Sequence, residues 1–216
     1  MKNRHLYLLM AAAVLAGGCF GGKAVQRRAL ARRRTFVPET GQEVRAEAGG
    51  PCFAAAKIRA FRVLPPFDAR SFIVRRAGGE YAADFYNCWL APPQALISTQ
   101  AARYLAETRV FKAVYDAGAG TLAPLGIEGV VSGLYLDYAG DVPAAVVRLR
   151  LLVLDERSPR FRVLFDAERE AREAFDAAKE NAAAEAFGAA LTKTLEGLAA
   201  DLRAADLPRP DAAYSP

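Results

Sequence analysis

Apolar positions along the chain recur with a period of two in some stretches and of three to four in others, and their order predicts a sheet with two helices. Ala56 to Leu64 sets Ile58, Phe61, Val63 and Leu64 in a strand that stops at Pro65-Pro66, because proline cannot continue a ladder. Phe72 to Arg75 and Tyr81 to Cys88 flank Gly78-Gly79, a dipeptide that supplies the positive φ angles of a hairpin turn. Pro92-Pro93 suits a first helical turn, and Ile97, Ala101, Tyr104 and Leu105 then share one face, predicting a helix over about 93–107. Val110 to Tyr115 resumes as a short strand before the turn residues 116–120.

From Val130, the residues Leu134, Leu136 and Tyr138 keep one parity, with Ser132 interrupting the apolar set. Val147, Leu149, Leu151 and Val153 alternate with Arg148 and Arg150. Phe161, Val163 and Phe165 oppose Arg160, Arg162 and Asp166, so the three segments predict an antiparallel meander with a solvated arginine face. The clearest pattern is the stripe Ala183, Phe187, Ala190, Leu191, Thr194, Leu195, Leu198 and Leu202, a helix that packs its small and apolar face on a sheet. Its other face carries Glu185, Lys193, Glu196 and Arg203, a mixed sign that argues against a membrane-surface helix. The order β-β-β-α-β-β-β-β-α predicts an α+β two-layer sandwich, one largely antiparallel sheet with two helices packed on one face.

The N-terminus has a different logic. Lys2 and Arg4 precede the apolar run Leu6 to Ala16, followed by Gly17-Gly18-Cys19, which gives the charged, apolar and small-residue regions of a secretory signal. The run is too short to span a bilayer, which takes about 20 residues. A cysteine at this place resembles the lipobox of bacterial lipoproteins, in which it is acylated and becomes the first residue; the plain alternative is an ordinary cleaved signal. The organisation expected is a signal peptide at 1–18, a lipidated basic tether at 19–50, a folded domain at 51–207 and a disordered tail at 208–216. The lipid on Cys19 is the one attached group expected, with no other cofactor and no metal. Phe20, where an aspartate signals inner-membrane retention in enteric bacteria, tilts the expectation to the outer membrane, facing the periplasm.

Charge looks different once the signal is removed. The 216 residues carry a formal charge of +5, which would ordinarily suggest nucleic acid as a partner. Export argues against that. Residues Lys23, Arg27, Arg28, Arg32, Arg33 and Arg34 form an acid-free basic stretch suited to an anionic membrane surface, or to a solvated linker. The single histidine, His5, leaves with the signal, which excludes His-based triads and His-ligated metal within one mature chain.

The motif Phe85-Tyr86-Asn87-Cys88-Trp89-Leu90-Ala91-Pro92-Pro93, with the lipobox, Arg33-Arg34-Thr35-Phe36-Val37, the strand ending in Pro65-Pro66 and the Ala/Leu-rich last helix, resembles the ABC-type transport auxiliary lipoproteins, PqiC-like. The match covers about residues 34–205. The resemblance implies a periplasm-facing outer-membrane lipoprotein. It would work with an Mce-domain protein and an ABC permease and ATPase that move phospholipid or another hydrophobic compound between membranes, and a homo-oligomer would suit such a system. It supplies no catalytic residues. The reading from a different class is a structural or assembly lipoprotein, either a barrel partner or a peptidoglycan-binding module.

Three further expectations concern single residues. Trp89, the one tryptophan, is read either as a core ring or as a partner-facing aromatic. Cys52 and Cys88 remain after lipidation and permit one disulfide in an oxidising compartment. Glu168, Glu170, Glu173 and Asp176 interleave with Arg169 and Arg172, which reads as a solvated helix start or turn, and not as an acid-base pair; the protein is expected not to be an enzyme.

Overall fold

The structure is a computed structural model that describes residues 32–41, 53–59, 61–157 and 162–209. The chain divides into a unit at Met1–Arg32 and a second at Arg33–Pro216, and all that follows concerns the second. Its strands are β1 (Arg34–Phe36), β2 (Ala56–Ile58), β3 (Arg62–Val63), β4 (Ser71–Arg75), β5 (Tyr81–Trp89), β6 (Val114–Tyr115), β7 (Leu125–Asp137), β8 (Ala144–Asp155) and β9 (Arg162–Ala174); its helices are α1 (Pro93–Glu107) and α2 (Ala182–Ala204).

The fold is α+β, as the patterning predicts. The sheet is mixed. β7, β8 and β9 form the expected antiparallel meander, and β4 and β5 the expected hairpin. The short strands add in parallel: β1 on β5, β2 on β6 and β7, and β3 and β4 on β7. The hairpin turn uses Gly78 and Gly79 at φ 80° and 82°, a region in which a side chain would be strained.

β7 runs longer than its sequence parity allows for a regular strand. Leu125, Ile127 and Val131 face the core, and so do Leu134 and Leu136, although the two sets differ in parity. A bulge between Val131 and Gly133 reconciles them: Ser132 is the extra residue and flips the faces. A second irregularity, where Val153 pairs with Phe165 but Leu154 with Val163, turns Val163 out to solvent. The expected core role of Val163 therefore fails, while Phe165 packs against the core.

α1 begins with Pro93, whose missing N–H costs nothing in a first turn, and buries Ile97, Ala101, Tyr104 and Leu105. α2 buries Phe187, Ala190, Leu191, Thr194, Leu195, Leu198 and Leu202. Thr194 is satisfied inside its own helix by donating to the Ala190 carbonyl at 2.8 Å. Between α1 and α2 runs an extended strap, residues 37–41. Its Thr40 is buried, with its hydroxyl 3.1 Å from Gln100 Oε1 of α1, and the Gly41 N–H donates to Thr192 Oγ1 of α2 at 3.0 Å.

The folded domain thus begins well before residue 51. Arg33 and Arg34, expected in a tether, belong to it because β1 needs the free edge of β5 for its backbone hydrogen bonds. The expected tail is also shortened: the Pro208 carbonyl accepts the Ala54 N–H at 2.9 Å and the Arg209 guanidinium lies over the Phe53 ring. Residues 210–216 lie outside the described residues, as do 42–52.

Candidate functional site

The segment that carries the sequence motif departs from regular strand geometry. Ser71 of β4 pairs with Cys88 and Ile73 with Ala83, so a two-residue step on β4 spans five residues of β5. Residues 84–87, standing opposite the single Phe72, form a bulge. Asp84 accounts for it chemically: its Oδ1 accepts the N–H groups of Tyr86 at 2.7 Å and of Asn87 at 3.2 Å, giving amides that left the ladder a new partner. Asn87 Nδ2 donates to Asp84 Oδ2 at 2.6 Å, and Arg34 Nη2 donates to Asn87 Oδ1 at 2.9 Å. β1 is thereby fastened to the bulge by its first side chain.

The result is a fixed aromatic projection. Phe85 is 77% exposed and Tyr86 46%, with their rings edge to face at 5.3 Å. Beside them lies an open groove of about 600 Å³, lined by Val74, Arg76, Ala82, Phe85, Tyr86 and Tyr138. Partial burial, and then the nearby Asp84 carboxylate, raise the Tyr138 phenol above its ordinary pKa. Tyr138 also packs edge to face on Phe175 at 5.9 Å.

Trp89 points the other way. It is 1% exposed, with its ring 4.4 Å from Phe72 and 5.0 Å from Phe187, at the meeting point of hairpin and α2. The partner-facing reading of Trp89 is overturned, because the largest apolar side chain fills the space between sheet and helix. The exposed aromatics include Phe85 and Tyr86 instead, with Tyr81 and Tyr138 less so. The signal that could have found Phe85 and Tyr86 is the Asp84-Phe85-Tyr86-Asn87 tetrapeptide, whose Asx residues at both ends suit a turn inside an apparent strand.

The other expected site residues fall as follows. Cys19, Lys23, Arg27, Arg28 and Cys52 lie outside the described residues. Arg32 is exposed. Arg33 Nε donates to Cys88 Sγ at 2.9 Å, and Cys88 is a buried free thiol. The proposed pairing of Cys88 with Cys52 therefore has one member outside the described residues.

The acidic cluster is not a helix start. Glu168, Glu170 and Glu173 lie on β9, which extends to Ala174 because cross-strand ion pairs satisfy its charges. Arg148 Nε donates to Glu170 at 2.7 Å, Arg150 Nε to Asp166 at 2.6 Å and Lys193 Nζ lies 2.5 Å from Glu173. The arginine face is therefore exposed but laced across strands. At its end, burial alone would raise the Asp137 carboxyl, yet bonds from Arg172, the Ala139 N–H and the Arg75 charge hold it below the usual carboxylate range. Among the described residues no group of His, Cys, Asp and Glu is placed to hold a metal ion, and no helix is long and apolar enough to cross a membrane.

No family model and no curated protein matches the sequence. Solved structures do match the fold. A Xanthomonas campestris protein of family DUF330 is similar over 78% of this chain and 91% of its own, with 19% identity and a TM-score of 0.60. A hypothetical protein of Chlamydia trachomatis is similar over 71% of this chain and 97% of its own, with 10% identity and a TM-score of 0.50. The likeness to these structures is one of fold.

Proposed function

We propose that the protein is a lipid-anchored, periplasm-facing auxiliary subunit of an Mce/ABC-type envelope transport system, acting on phospholipid or another hydrophobic compound without catalysis of its own. The observation that carries the reading is the motif Tyr86-Asn87-Cys88-Trp89, which resembles that of the transport auxiliary lipoproteins and has a definite structural task. Asn87 fixes the bulge, Trp89 fills the core and Pro93 opens α1. The fold of the DUF330 protein is compatible with this reading, the signal and lipobox ending at Cys19 support anchoring by acyl chains, and Phe20 in place of an aspartate supports the outer membrane.

The test is purification of the tagged protein from detergent-solubilised envelopes of its own cells. Recovery of an Mce-domain protein together with a permease and ATPase is expected. Recovery of an outer-membrane barrel or of murein in their place would overturn the transport role.

A further inference from the structure

We infer that the Phe85-Tyr86 bulge is a second contact between this domain and the lipid surface that holds Cys19. The inference rests on the anchoring reading above. Of the other large apolar side chains exposed among the described residues, Tyr81 opens β5, Leu90 follows it and Tyr138 lines the groove beside the bulge, while Leu122, Val142 and Val163 lie far apart in the chain. At the bulge two aromatic rings stand side by side, held by Asp84, Asn87 and Arg34, so little side-chain freedom is lost when they are covered. Tyr86 has the polar-tipped ring that favours the interfacial layer of a bilayer, and Phe85 adds a purely apolar one beside it.

Charge and connectivity favour lipid as the occupant. The carboxylates around the bulge are engaged: Asp84 by two amides and Asn87, Glu80 by Arg76 at 3.5 Å and Glu180 by Arg34 at 3.4 Å. Glu80 and Glu180 are thereby each paired with an arginine, while Asp84 keeps its charge and turns it to neutral donors within the bulge. Arg34, the first residue of β1, is in register with Asn87, so the chain enters the domain beside the bulge and not at the far edge of the sheet. Cys19 is fourteen residues before Arg33, which limits their separation to about 50 Å. Lys23, Arg27, Arg28 and Arg32 fall in that interval with no acid, a composition attracted to anionic lipid. The entry point held within that reach of the membrane is therefore the one that presents the two rings.

The experiment places a tryptophan at the bulge of the mature protein, purified from membranes and reconstituted in phosphatidylethanolamine and phosphatidylglycerol vesicles with brominated acyl chains. Buried Trp89 gives a constant background. Phe85→Trp is expected to add a blue-shifted emission that the brominated lipid quenches by at least about twofold. Val163→Trp, exposed on β9, is expected to add an unquenched one. Unquenched, red emission from Phe85→Trp in a chain whose mass shows acylated Cys19 overturns the inference alone. Burial of the new tryptophan in native envelopes but not in vesicles identifies a protein occupant and overturns it as well. A mass showing unmodified Cys19 removes the anchoring reading, and this inference with it.

Discussion

Asp84 and Asn87 hold each other across the β5 bulge, with the Asn87 amide donating to the Asp84 carboxylate at 2.6 Å while its own N–H donates to the other oxygen at 3.2 Å. Asn87 also accepts from Arg34, so one side chain joins the bulge to the strand that opens the domain. Asn87→Ala removes both side-chain bonds and is expected to cost about 1–3 kcal/mol in urea denaturation. Asp84→Ala is expected to cost a similar amount, and the double variant clearly less than the two together, since they share one network. Additive losses would show that the two residues act separately.

Two glycines of α2 give opposite predictions. A Cβ on Gly188 would stand 2.3 Å from the Glu39 carbonyl oxygen, where the strap crosses the helix. A Cβ on Gly197 would meet only the Arg169 side chain, at 3.5 Å or beyond. Gly188→Ala is expected to destabilise by about 1–3 kcal/mol as the strap is displaced. Gly197→Ala is expected to stabilise by up to about 1 kcal/mol through helix propensity. Thermal melts of the two variants decide it, and destabilisation by both would sink the steric account of Gly188.

What could be read from the sequence follows from which forces are local. α1 and α2 were legible because helical spacing of Ile97, Ala101 and Leu105, or of Phe187, Leu191 and Leu195, states which face is buried. The meander was legible for the same reason in β8, where Arg148 and Arg150 alternate with core residues. Parity failed wherever a bulge intervened: at Ser132, at the Val163 end of β9 and at Asp84 to Asn87. β1 could not be read as a strand because its three residues owe their structure to a partner 53 residues away. The length of β9 was hidden as well, since its alternating acids and arginines are satisfied only across strands. For the site, the motif was visible, but Trp89 stayed open between core and partner and Phe85 had no role, because the bulge that turns Phe85 outward is set by the side-chain bonds of Asp84 and Asn87.

The contrast between buried Trp89 and exposed Phe85 is directly measurable. Trp89→Ala leaves a cavity among Phe72 and Phe187 and is expected to cost about 3–5 kcal/mol, whereas Phe85→Ser is expected to change stability by less than about 0.5 kcal/mol. Intrinsic fluorescence of the folded protein is expected to be blue-shifted and insensitive to iodide. A red, iodide-quenched emission would place Trp89 in water and contradict the packing.

The end of β8 carries a pH-dependent contribution to stability. Asp155 is 8% exposed, and the Arg157 guanidinium donates to both its oxygens, at 2.8 and 2.7 Å. The Arg157 N–H adds a bond at 3.1 Å. These bonds outweigh burial and lower the carboxyl to about 2, against an ordinary value of 3.8. The folded state therefore binds this proton less readily than the unfolded chain does. The stabilisation is fully present above about pH 4 and is lost as pH falls through the folded value near 2. A shift of this size corresponds to about 2 kcal/mol for a largely buried group. Asp155→Asn keeps the shape and removes the titration. Urea denaturation of both proteins from pH 6 down to pH 2 is expected to show a stability gap that narrows by about 2 kcal/mol below pH 4. A gap that stays constant across that range would mean Arg157 does not depress the Asp155 carboxyl.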